Sequence, residues 1–148
     1  MRTINTISVH QSAGSNTETV ESIRRYHMEV RGYSDVGYHY VITRNGVVHP
    51  GRPLEKIPAA VKDENAHMCA ICCVGAGAAL PIAGGGYMTK PQWASLVDLC
   101  ETLCRRFALK YWQVKGHREY PSGAAQKKSC PGFSAKILRL ELKERLAQ

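Results

Sequence analysis

The stretch Tyr38-His39-Tyr40-Val41-Ile42-Thr43-Arg44-Asn45-Gly46-Val47-Val48-His49 decides the fold class. Two runs rich in β-branched and aromatic residues meet across Asn45-Gly46, and Asn-Gly between such runs is the strongest local signal for a two-residue hairpin. The flanking sequence then alternates between strand and helix periods. Upstream, Ile4 to Val9 reads as a strand with Ile7 and Val9 on one face and Ser8 and His10 on the other. A polar loop, Gln11 to Asn16, follows. Thr17 or Thr19 can cap a helix to about Arg31, with Val20, Ile23, Tyr26 or His27, and Val30 at helical spacing and Gly32 as its stop.

Downstream, Cys69 to Val74 is a short apolar strand of the buried kind, followed by a loop carrying Gly75, Gly77 and Gly84-Gly85-Gly86. Thr89 and Gln92 form a capping box, after which Trp93, Leu96, Val97, Cys100, Leu103, Cys104 and Phe107 trace one helical stripe. Trp112 to Gly116 reads as another strand, and Ser134 as the cap of a last helix to about Leu146. Alternating strands and helices predict an α/β fold with a central mixed sheet flanked by helices, its chemistry on loops at strand ends.

With 148 residues and no repeat or linker, the chain is expected to form one domain, 1–148, with a sizeable core. Met1-Arg2-Thr3-Ile4-Asn5 leads into an alternating strand, so no secretory signal is read there, and no apolar run reaches membrane-spanning length. Cys69, Cys72, Cys73, Cys100 and Cys104 all lie in apolar patterns, where free thiols act as small hydrophobes, and a reduced cytoplasmic chain is expected. Cys69 and Cys72 have a redox or zinc-knuckle spacing, but on a strand they point to opposite faces. The net charge of +8 calls for an acidic partner, either nucleic acid or an anionic cell-wall polymer. The basic residues near the C-terminus lack the interleaved aromatics that stack bases, which disfavours nucleic acid and leaves a solvated helix face as the plain reading.

His10, His117 and Cys130 each fall at a strand end or in a polar loop. Two imidazoles and a thiolate suit zinc, and three protein ligands leave a fourth position for water, which is the pattern of a catalytic site. Taken one at a time, His27 reads as a packed or capping side chain, His39 and His49 as structural or surface residues, and Tyr38 as a sheet aromatic.

In order and spacing, Ser8-Val9-His10, Ile23-Arg24-Arg25-Tyr26-His27, Val36-Gly37-Tyr38-His39-Tyr40-Val41-Ile42, Arg44-Asn45-Gly46, Gly116-His117-Arg118-Glu119 and Ser129-Cys130-Pro131-Gly132-Phe133 resemble the type 2 N-acetylmuramoyl-L-alanine amidases. The likeness to the small phage amidases called lysozymes, relatives of the peptidoglycan recognition proteins, runs over nearly the whole chain. It implies an amidase-like fold and zinc held by His10, His117 and Cys130, with Tyr38 and Lys128 as a catalytic pair that does not touch the metal. It implies hydrolysis of the amide between N-acetylmuramic acid and L-alanine in peptidoglycan by a bacteriolytic phage or prophage endolysin. Such an enzyme would act as a monomer, insert in no membrane, and wait in the host cytoplasm for a holin-type partner. The chain departs from the family pattern at Ala59-Ala60, where relatives often carry a substrate-facing histidine, and His67 lies out of register to replace it. The loop from His117 to Cys130 is long and contains the flexible, insert-like run Pro121-Ser122-Gly123-Ala124-Ala125-Gln126. The competing functions are a non-catalytic peptidoglycan-binding protein of the same fold and a basic nucleic-acid or polymerase-binding protein.

Overall fold

The computed structural model describes residues 1–75, 88–128 and 130–148; Gly77, Gly84-Gly85-Gly86 and Ser129 of the sequence reading lie outside them. A five-stranded sheet has the order β3-β2-β4-β1-β5, formed by β1 (Thr6–Gln11), β2 (Tyr40–Ile42), β3 (Val48–Pro50), β4 (Met68–Cys73) and β5 (Val114–Gly116). The β2/β3 pair is antiparallel, while β2/β4, β4/β1 and β1/β5 are parallel, so the sheet is mixed as expected. The helices are α1 (Val20–Glu29), α2 (Lys90–Phe107), α3 (Pro121–Ala125) and α4 (Ala135–Leu146).

Period-2 alternation sorts the sheet faces. Ile7, Val9, Cys69, Ile71 and Cys73 pack with Leu96, Val97 and Cys100 of α2 and Leu138 and Leu142 of α4 in the larger core. Cys72 faces the other way, with Val41, Val74 and Ile23 of α1. Cys69 and Cys72 therefore sit on opposite faces, and all six cysteines are free. Helix α2 begins with the expected capping box, in which Gln92 N–H donates to Thr89 Oγ1 at 3.1 Å. The Gln92 side chain also reaches the sheet. Its buried amide donates to the Ile42 and Val74 carbonyls at 2.9 and 3.0 Å, tying the helix start to the ends of β2 and β4.

Several expectations are corrected. The hairpin loop has three residues, because Thr43 N–H pairs with the Val47 carbonyl and Gly46 N–H with the Thr43 carbonyl, with only Gly46 at positive φ. A two-residue turn of the Asn-Gly type needs positive φ at both positions, and Asn45 instead accepts the Val47 N–H on its side chain. The first strand runs Thr6–Gln11 rather than Ile4 to Val9, and Tyr38 and His39 precede the second strand. Tyr111–Gln113 forms a 3₁₀ turn, so the last strand starts at Val114 rather than Trp112. Ser134 precedes α4 but its hydroxyl caps nothing. The run expected to be flexible is helix α3, followed by Gln126 as its C-cap; Pro121 starts it with a preset φ and buried Gly123 lets it approach His117.

Candidate metal centre and groove

The parallel strands deliver the candidate residues to one end of the sheet, where ligand sites of open α/β sheets lie beyond the carboxyl ends of strands. His10 is the penultimate residue of β1 and His117 directly follows β5, whose Gly116 is level with Val9. Their rings are 4.8 Å apart, edge to face. Cys130 is brought in by the returning loop, where Gln11 N–H donates to its Sγ at 3.2 Å and Arg118 N–H donates to its carbonyl at 3.0 Å. The ligand atoms of His10, His117 and Cys130 all lie within 4.8 Å of one another, and no other such cluster is found among the described residues.

Zinc places tetrahedral N and S donors roughly 3.3–3.8 Å apart, a spacing this cluster reaches by small side-chain adjustments. Two observations agree with that fit. Burial, and then His117, hold the His10 imidazole well below its usual range, while burial and Lys128 lower His117, so both stay neutral as ligands must. His117 Nε2 is also shut off from solvent without a hydrogen-bond partner, a cost that proteins rarely leave uncompensated. Burial pushes the Cys130 thiol up to about 11, against the pull of Gln11 N–H, Lys128 and Arg118.

The cluster lines a groove of about 590 Å³. Tyr38 stands beside it, its ring 5.2 Å from that of His10. Burial, reinforced by the Cys72 and Cys130 thiols, raises the Tyr38 phenol well above its usual range. The phenol therefore stays protonated. Lys128 is exposed and lines the groove, whereas Lys127 is the positive-φ residue that ends α3 and does not line it. The sequence reading missed the outer wall, where Tyr26, His27, Arg31 and Tyr33 come from the end of α1 and the loop after it. His27 is both packed and groove-lining, since its Nδ1 accepts Gly37 N–H at 2.8 Å. Ala59 and Ala60 do line the groove, while His67 faces the Thr3 carbonyl at 3.1 Å and does not.

Glu18, with no sequence signal beyond its charge, also borders the groove. The buried polar side-chain atoms without a partner among the described residues are Gln11 Oε1, Glu18 Oε1 and His117 Nε2, and all three residues line this groove. Unsatisfied polar groups concentrate where a ligand is to be met, not where packing alone is at work.

Comparisons with known proteins point the same way. The family described as N-acetylmuramoyl-L-alanine amidase matches residues 1–133. The endolysin of Escherichia phage T7 is 32% identical over 132 residues, 88% of this chain and 82% of that one. The solved Ph2119 endolysin, from a bacteriophage of Thermus scotoductus MAT2119, superposes with a TM-score of 0.75 at 25% identity, covering 95% of this chain and 86% of that one. Drosophila peptidoglycan recognition protein SD shares the fold, with a TM-score of 0.74 at 19% identity over 94% of this chain and 81% of that one.

Proposed function

The chain belongs to the N-acetylmuramoyl-L-alanine amidase family, and on that premise we propose that residues 1–148 form one zinc-dependent endolysin domain. It cuts the amide between the lactyl group of N-acetylmuramic acid and the L-alanine of the stem peptide. The observation that carries this reading is the convergence of His10, His117 and Cys130 at the floor of a groove large enough for a muramoyl peptide.

Zinc held by these three residues supplies a Lewis acid for the scissile carbonyl and lowers the pKa of water toward neutrality. The chain's own residues do the rest. His10 is kept neutral by burial and oriented by Ser8, whose Oγ lies 2.7 Å from Nε2. Tyr38, protonated at any physiological pH, has an O–H to offer the carbonyl oxygen or the attacking water. Lys128 sets a positive charge at the groove mouth against the oxyanion that develops as the amide carbon becomes tetrahedral.

No helix of the described residues is long and apolar enough to cross a membrane. The reading is of a monomer that waits in the host cytoplasm and reaches the wall through a holin-type lesion. Product analysis tests the assignment: digested peptidoglycan gains free L-alanine amino termini and no new reducing sugar ends, while reconstituted protein carries about one zinc per chain. New reducing ends would move the chain to another reaction class, and absence of stoichiometric zinc would remove the metal from the site.

A further inference from the structure

At the opposite end of the sheet the 3₁₀ turn Tyr111–Gln113 leads into β5, so this surface lies roughly 15 Å along the strand direction from His117. Trp112 is 57% exposed there, unusual for so large a side chain. It stands edge to face with Tyr111, centroids 5.2 Å apart at 83°. On one side of the indole lies a cavity of about 480 Å³, and on the other a second of about 330 Å³ bordered by Asn5, Gln113, Lys115 and Glu64, whose two charges are of opposite sign. The ring thus forms a ridge between two halves of one open trough.

The charge of the larger half has one sign. Arg105, Lys110 and Lys143 line it, and no carboxylate does. Arg105 is shared with Glu101 at 3.1 Å, whereas Lys110 and Lys143 take part in no ion pair among the described residues, and Lys143 Nζ sits 5.7 Å from the centre of the Tyr111 ring. A flat apolar face with a polar edge, flanked by unpaired ammonium groups, suits a molecule that offers C–H faces, hydroxyls and carboxylates together. A nucleic acid would ask for successive stacking rings along a track of cations, and a single exposed ring with two unpaired lysines is less than that.

We propose that the trough divided by Trp112 is a second binding site, distinct from the catalytic groove, for a peptidoglycan strand, its sugar faces on the indole and its stem-peptide carboxylates toward Lys110 and Lys143. The proposal rests on the amidase reading for its choice of polymer. Its consequence is retention: an enzyme whose substrate is an insoluble mesh stays on the strand between cuts, because two weak sites on one polymer give more than either alone.

Cosedimentation with purified sacculi, in parallel with hydrolysis of a soluble muramoyl-L-alanyl peptide, tests it. Trp112→Ala is expected to weaken sacculus binding about three- to tenfold, the effect of losing one aromatic contact, with soluble-substrate turnover unchanged. The double substitution Lys110→Gln with Lys143→Gln, which touches no core residue, should do the same and make binding less sensitive to salt. Wild-type retention by both variants overturns the site, as does displacement of the protein from sacculi by single-stranded DNA but not by glycan fragments. If the unaltered protein cleaves no soluble substrate, the amidase reading fails, while the sedimentation arm still reports on the trough.

Discussion

Ser8 Oγ lies 2.7 Å from His10 Nε2, two residues apart on the same face of β1 and both buried. A neutral imidazole that ligates through Nδ1 carries its proton on Nε2, where the hydroxyl would accept it and hold the ring in the way outer partners orient metal-binding histidines. Ser8→Ala should therefore keep the fold and lower zinc affinity about 10- to 100-fold. Competition with a chelator measures it, and unchanged affinity would show that the ring is held by packing alone.

If Tyr38 and Lys128 act as proposed, their variants separate holding the metal from doing the chemistry. Tyr38→Phe and Lys128→Ala should retain zinc while turnover falls by something like ~10²–10³-fold, the usual effect of removing one oxyanion donor. Lys127→Ala should leave turnover alone, because Lys127 ends α3 outside the groove. His10→Ala should lose both metal and activity, and Cys130→Ser should bind zinc far more weakly, since a hydroxyl is a poor substitute for a thiolate. Zinc content and rate on the same preparations decide between these outcomes.

Gly123 tests how α3 supports the site. A Cβ added there would run into the His117 carbonyl oxygen, so Gly123→Ala must displace either the helix or the ligand. The expected cost is about 1–3 kcal/mol in urea unfolding, together with weakened zinc retention. Loss of stability with wild-type metal affinity would mean that the helix yields and His117 stays.

His39 predicts the acid response. Its Nδ1 accepts Ala70 N–H at 3.0 Å and its Nε2 lies 2.8 Å from the Lys56 carbonyl, so the neutral ring is fully used. Burial, together with Arg2 and Arg52, pushes it down to about 4, despite the opposing Lys56 carbonyl. The unfolded chain binds the proton first as pH falls, so this contribution is complete above about 6.5 and is lost down to about 4. It amounts to about 3 kcal/mol at most. Metal-free wild-type protein should lose urea stability across that window, and His39→Gln should show a flatter dependence. Parallel curves would remove His39 as the cause.

Alternation within β1 and the capping box at Thr89 were legible because each rests on a short local pattern. The parity of Ser8 and His10 gave the side of the sheet on which the candidate site lies. What escaped was set by distant partners. Trp112 and Gln113 have strand-like neighbours, but Gln113 donates back to the Asn5 carbonyl at 2.8 Å and the turn closes into 3₁₀ geometry instead. Helix α3 hides in a run of small residues whose order comes from packing beneath His117, not from propensity. Glu18, Arg31 and Tyr33 flank α1, whose Ile23 packs against Val41 and Cys72 of the sheet, and no spacing within α1 announces that the segments beside it line the groove.

The hydrogen bond from Gln11 N–H to Cys130 Sγ joins positions 119 residues apart. At synthesis rates of roughly 5–20 residues per second, about 6 to 24 s pass between the making of one partner and the other. During that interval His10 is already made, yet the thiol that completes its cluster does not exist. The candidate cluster therefore closes only after most of the chain has been made, when the returning loop docks at the end of β1.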